Sequence, residues 1–258
     1  MNNYKKNKKL LQENNIYDPS MEHDACGVGM IASTNGKKSR KIVDYGIEAL
    51  KAIWHRGAVD ADGKSGDGAG IQLEIAPDFF KEKILATGHS PDESKRICVG
   101  MVFLPRTNYT DQEKSREITE AVLLKENFSI YGWRQVPVNP KVLGKTADQN
   151  RPEIAQVIFK KNEKLKTNDL ERELFVARKK IEKLARESQI KDFYICSFSS
   201  RSIVYKGMFL AESLADFYPD LNDQKLTSRF AIFHQRYSTN TFPSWDLAQP
   251  FRTLAHNG

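Results

Sequence analysis

Apolar and polar positions along the chain follow two periods, and the places where the period changes mark out the elements. Residues 27–33 (GVGMIAS) are a short apolar run punctuated by glycine, which reads as a buried strand. Residues 41–55 carry apolar positions at 42, 43, 46–47, 49–50 and 53–54, a near-helical spacing that predicts an amphipathic helix ending near Gly57. Residues 63–70 (GKSGDGAG) show no pattern of side chains and read as a loop. A strand over 71–75 and a short helix over 78–86 follow, with Pro77 near the helix start, where its fixed φ is suited. Residues 96–104 (RICVGMVFL) read as a buried strand stopped by Pro105. A helix is predicted over 110–127, with a Thr or Asp able to cap it. Strands are predicted over 129–136 and 154–159. A long charged helix over 169–188 sets Leu170, Leu174, Phe175, Ile181 and Leu184 among its polar residues. Residues 193–199, 202–205, 230–237 and 252–255 complete the strand candidates. Helices and strands are both abundant, so the pattern predicts an α/β or α+β sandwich, with no internal repeat and no low-complexity linker.

The chain has 258 residues, 40% of them hydrophobic and 28% charged, a globular composition long enough to bury a real core. No run approaches eighteen consecutive apolar residues, which excludes a membrane-spanning helix. The three cysteines, Cys26, Cys98 and Cys196, form no C-x-x-C pair and cannot build a disulfide framework. That points to a reducing compartment, read here as the cytoplasm. The formal charge of +7 permits an anionic partner without requiring one. A nucleic-acid-binding module finds little support, because the lysines at 5, 6, 8 and 9 are few and no aromatic ladder follows them.

Residues 1–25 read differently from the rest. Their four lysines are matched by Glu13, Asp18, Glu22 and Asp24. Without an apolar core or arginines, they match neither a secretory signal nor an organelle transit peptide. A disordered tail is one reading, and a segment removed in maturation is another.

Single motifs decide little. Gly27-x-Gly29-x-x-Ala32 formally matches a dinucleotide fingerprint, but strand rather than helix follows it. Gly63-Lys64-Ser65 resembles the end of a phosphate-binding loop, yet Ala58 stands where its first glycine belongs. His23, Cys26 and His55 lack the paired short spacing of a zinc site, so no metal is expected. Cys98 and Cys196 lie among Ile, Val, Phe and Tyr and read as inert core thiols. Cys26 sits between acidic and polar residues on one side and glycine on the other, a context that leaves sulfur accessible. Asn257-Gly258 alone is an ordinary turn signal, and Arg236 alone an ordinary strand arginine.

Three distant blocks change the picture when read together: residues 21–30 (MEHDACGVGM), 55–71 (HRGAVDADGKSGDGAGI) and 233–258 (FHQRYSTNTFPSWDLAQPFRTLAHNG). In this order they closely resemble the N-terminal glutaminase domain of glutamate synthase large subunits, a class II glutamine amidotransferase. Residues 75–225 fit in length and pattern but carry no diagnostic motif. The Asp-Gly-Lys-Ser-Gly-Asp-Gly loop and the Phe-Pro-Ser-Trp…Leu-Ala-Gln-Pro stretch resemble glutamate synthase in particular.

The resemblance implies an α+β fold of the Ntn-hydrolase kind, a four-layer αββα sandwich of two antiparallel sheets. It implies that residues 1–25 are a propeptide cleaved between Ala25 and Cys26, leaving 26–258 as the amidotransferase domain. Cys26 then serves as nucleophile, and its freed α-amino group as general base. The Asn257 amide and the Gly258 N–H form the oxyanion hole. Arg236 grips the α-carboxylate of L-glutamine, with Tyr237 and Thr239 in the same substrate loop. His234 and His256 take supporting places. The resemblance assigns no role to Asp62, Asp67 or the glycines of 63–70.

The implied activity is hydrolysis of L-glutamine to glutamate and ammonia, with ammonia passed to reductive amination of 2-oxoglutarate in further domains. Those domains carry FMN and an iron–sulfur cluster, and this chain carries no cofactor. The electron donor, NADPH, NADH or ferredoxin, is left open, as is a small reductase subunit. The family continues beyond the Asn-Gly pair with an acidic residue for the substrate ammonium. The chain therefore reads as a C-terminally incomplete domain, expected to show weak or absent glutaminase activity alone. The alternatives are another class II amidotransferase or a non-catalytic interaction domain of the same fold.

Overall fold

The computed structural model describes residues 6, 9–10, 12–14, 27–235, 242–252 and 254. Within them, eight strands form two four-stranded antiparallel sheets. The first sheet contains β1 (Val28–Ala32), β2 (Ser65–Glu74), β7 (Ser202–Phe209) and β8 (Phe230–Gln235), in the order β1-β8-β2-β7. The second contains β3 (Cys98–Leu104), β4 (Phe128–Gln135), β5 (Glu153–Lys161) and β6 (Tyr194–Ser199), in the order β4-β5-β3-β6. Strands β6 and β7 are consecutive and lie at the edges of different sheets, so one short turn ties the sheets together. Helix α1 (Arg40–Ala52) packs on β1 and β8, while α3 (Tyr109–Lys125) and α5 (Thr167–Glu187) pack together on the second sheet. The result is the α+β sandwich of two antiparallel sheets with helical layers that the resemblance implies.

Helix α1 forms because Ile42, Val43, Ile47 and Leu50 share a buried face. Gly46 lies on that face, where a Cβ would stand 2.5 Å from the Ala231 Cβ of β8, so glycine sets how closely helix and sheet approach. Helix α2 (Pro77–Ala86) begins at its proline and buries Phe79, Phe80 and Ile84. Helix α3 is capped by Asn108, whose side chain accepts from Asp111 N–H at 3.1 Å. The cap thus falls two residues before the Thr expected from sequence, because the amide of Asn108 meets the exposed first turn.

Two apolar clusters result. The larger runs from α1 through Ile71, Leu73 and Tyr205 to Val99, Met101 and Phe103 of β3. The smaller holds Val102, Phe159, Leu174 and Ile181 between the second sheet and its helices.

Two sequence expectations change. The glycine-rich run is strand from Ser65 onward, not loop to Gly70, and it is fully buried. Its register against β7 shifts between Ser65 and Ala69, and a Cβ on Gly66 would meet the Phe209 carbonyl at 2.5 Å. Side chains are missing because backbone approaches backbone there. Arg252 and Leu254 are not in a strand, contrary to the expectation for 252–255.

Candidate active site

The three blocks that carry the resemblance converge on one end of the first sheet. Strand β1 pairs with β8 so that Val28 lies opposite His234, and the Gln235 N–H donates to the Gly27 carbonyl at 2.6 Å. Gly27 follows Cys26 in the chain, and Gln235 precedes Arg236. On the other side of β8, Ala69 and Gly70 of β2 lie opposite Gln235 and His234.

A strap formed by residues 242–252 lies on β2 at the same level. A Cβ on Gly70 would stand 2.5 Å from the Gln249 carbonyl oxygen, and one on Gly68 3.1 Å from Ala248 Cβ. The absent side chains let the strap rest directly on the strand. The strap is also tied sideways. Trp245 Nε1–H donates to the Ala147 carbonyl at 3.0 Å. Gln72 Nε2 donates to the Arg252 carbonyl at 2.7 Å, and Arg252 Nη1 to the Ile195 carbonyl at 2.5 Å.

The 57–67 hairpin forms a third side. Ala58 N–H donates to the Asp67 carboxylate at 3.1 Å, and Val59 bridges Gly66. Asp62 accepts from Ser65 Oγ at 2.6 Å, from the Ser65 and Lys64 N–H groups, and from Thr146 N–H at 3.1 Å. Those bonds, the Ser65 hydroxyl first, hold its carboxyl well below the usual carboxylate range. Ser65 Oγ in turn accepts from Ala147 N–H at 3.0 Å. Together they cap the short helix α4 (Lys145–Gln149), which also receives Trp245. Asp62 therefore fastens the hairpin to the strap's support, which gives this part of the glycine-rich motif a structural role.

Gln235 is fully buried, and among the described residues neither polar atom of its carboxamide finds a hydrogen-bond partner. Gly57 makes room for it, since a Cβ there would overlap Gln235 Nε2. A buried amide without partners costs about 1–3 kcal/mol per group. Here that cost is located beside the chain positions of the expected nucleophile and substrate arginine.

The expected site residues themselves, Cys26, Arg236, Tyr237, Thr239, Asn257 and Gly258, lie outside the described residues, as do His23 and His256. What the structure brings together are their chain neighbours. His234 is fully buried in β8. Cys98 and Cys196 are buried, and burial pushes the Cys196 thiol up to about 12 and that of Cys98 higher still, so both are inert as expected. Among the described residues no group of His, Cys, Asp and Glu could hold a metal ion.

Sequence reasoning missed Gln72, Lys206 and Gln235. The signal for Lys206 was present: it interrupts the apolar run SIVYKGMF of β7, yet it is 1% exposed. Gln72 and Gln235 carried no such signal, since each is an uncharged polar residue within or at the end of a strand that also holds apolar ones.

The family description for class II glutamine amidotransferases matches residues 26–258, beginning at the cysteine. The chain is 54% identical over 255 residues to the glutamate synthase [NADPH] large chain of Azospirillum brasilense, which covers 99% of this chain and 17% of that protein. It is 44% identical to the ferredoxin-dependent glutamate synthase of Pyropia yezoensis, over 97% of this chain and 16% of that protein. It is 43% identical to ferredoxin-dependent glutamate synthase 1 of Arabidopsis thaliana, over 95% and 15%. The chain thus spans about a sixth of the length of these relatives. With the family matched from Cys26 through Gly258, the chain belongs to the class II glutamine amidotransferases.

Proposed function

We propose that this chain is the glutaminase domain of a glutamate synthase, hydrolysing L-glutamine to glutamate and ammonia through a thioester on Cys26. The observation that carries this reading is the rung between Gly27 and Gln235, which joins the chain positions next to Cys26 and Arg236.

A glutamine side-chain amide is a poor electrophile and calls for a strong nucleophile. A thiol ionises near pH ~8.5, and an α-amino group has a pKa of ~8, so the two are well matched for proton transfer. Cleavage between Ala25 and Cys26 puts both groups on one residue. The amine takes the thiol proton, sulfur attacks the amide carbon, and the protonated amine gives its proton to departing ammonia. Water then attacks the thioester and releases glutamate. The Asn257 amide and Gly258 N–H stabilise the oxyanion, each such donor being worth about 3 kcal/mol. Arg236 holds the substrate α-carboxylate through two parallel hydrogen bonds, with Tyr237 and Thr239 lining the same loop.

Ammonia passes to reductive amination of 2-oxoglutarate in other domains of the protein, with NADPH or reduced ferredoxin as electron source, as the names of the relatives suggest. FMN and an iron–sulfur cluster belong to those domains. An iron–sulfur cluster needs several cysteine thiolates, and this chain's Cys98 and Cys196 are buried in different core clusters. The domain is read as cytoplasmic. Among the described residues no helix is long and apolar enough to cross a membrane.

The test is covalent labelling with a diazoketone analogue of glutamine, followed by mass analysis of the N-terminal peptide. One adduct on Cys26 of a chain beginning at that residue is the expected result. A chain that keeps residues 1–25, or an adduct elsewhere, would overturn the reading.

A further inference from the structure

Lys206 is the most deeply buried charged side chain near the strap, and the reaction scheme gives it no part. It sits in β7 at 1% exposure. Its Nζ donates to the carbonyls of Asp246 and Ala248 at 2.6 and 2.7 Å and lies 3.4 Å from the Tyr194 hydroxyl. The ammonium also stands over the rings of Tyr194 and Phe251. The Asp246 carboxylate accepts from Ser244 Oγ, leaving the main-chain carbonyls to receive the lysine. Placing an ammonium inside a protein is costly, and an apolar side chain would suit this strand at less cost. Both carbonyls belong to a segment that is itself neither helix nor strand.

We propose that Lys206 is a positioning residue for glutamine cleavage: its ammonium clamps the strap at Asp246 and Ala248 and so fixes the course of the chain that leads to Asn257 and Gly258. This rests on the glutaminase reading above. The geometry places the clamp where it matters. Gly68 and Gly70 set the strap's height on β2, and β2 at that level pairs with Gln235, the residue before Arg236. Lys206 holds the strap down from β7, Trp245 ties it to the Ala147 carbonyl of α4, and Gln72 holds its far end at Arg252. The strap, which leads in sequence to the expected oxyanion donors, is thereby held against β2 beside Gln235. Burial pushes the Lys206 ammonium down to about 8, while Cys196 and Asp246 favour the charge and Arg252 opposes it. The clamp therefore weakens as pH rises past that value.

The experiment compares Lys206→Met with Val204→Ala, a core truncation two residues away on the same strand, in the intact protein. The diazoketone glutamine analogue serves as probe, with inactivation rate and half-saturation measured separately. Lys206→Met is expected to lower the maximal inactivation rate about tenfold or more while half-saturation changes less than about threefold, because one oxyanion donor is worth up to ~10²–10³ in rate. Val204→Ala is expected to keep the wild-type rate. Hydrogen exchange gives a second readout without chemistry: the Ala248 amide, bonded to Ser244 O, should exchange faster in Lys206→Met alone. A wild-type rate in Lys206→Met, or an equal loss in Val204→Ala, overturns the clamp and leaves the glutaminase reading standing. Absence of any label on the wild-type protein overturns that reading and the clamp with it.

Discussion

The two sheets are built on different physics. The second sheet is held against its helices by apolar packing. Phe159 of β5 stacks edge-on with Phe128 at 5.4 Å and tilts against Phe198 at 5.0 Å, and Leu174 and Ile181 of α5 close over them. The strap end of the first sheet is held instead by polar groups: Lys206 on two carbonyls, Gln72 on a third, Ser65 and Asp62 on α4. Apolar packing is strong and tolerant of small shifts, whereas hydrogen bonds to named atoms are weaker and fix distances. The second sheet supplies stability, and the strap end supplies geometry.

The contrast can be broken from either side. The largest effect is expected from Phe159→Ala, which should cost about 3–5 kcal/mol in urea unfolding while the folded fraction labels at the wild-type rate. A loss of labelling in the folded fraction would show that the sheets are not separable in this way. The next largest concerns pH. Lys206 falls from its ordinary 10.5 to about 8 in the fold, so between these values the unfolded chain binds the extra proton and stability rises with pH. Lys206→Met should remove that rise, on the order of 3 kcal/mol across the window, as read from urea midpoints at successive pH values. An unchanged slope would mean that the lysine is not buried as an ammonium. The smallest is Gly70→Ala, whose Cβ meets Gln249 O at 2.5 Å and Lys206 Cβ at 2.7 Å. It should cost about 1–3 kcal/mol and slow labelling out of proportion to that loss.

The regular parts of the fold were legible because their side chains alternate with the period of the element. The strand near residues 98–104 and the helix near 169–187 fall within a few residues of expectation. The first half of β2 was not legible, because a strand made of Ser, Gly and Asp has no period to read and is specified by what lies on it. The site was legible only through resemblance. Lys206 and Gln235 escaped because their meaning depends on the strap and on Gly57, segments distant in the sequence. A lysine in a strand ordinarily reads as the solvent side.

The strand order of the first sheet has a consequence for synthesis. Strand β8 is the last strand among the described residues, yet it lies between β1 and β2, and β1 pairs with nothing else there. As the chain leaves the ribosome, β3 to β6 can pair while β1 still waits for a neighbour. Its partner arrives only after a loop spanning nearly the whole domain closes, one of the slower events in folding. The rung between Gly27 and Gln235 thus forms late, and the two halves of the site meet only after the strands between them have been made.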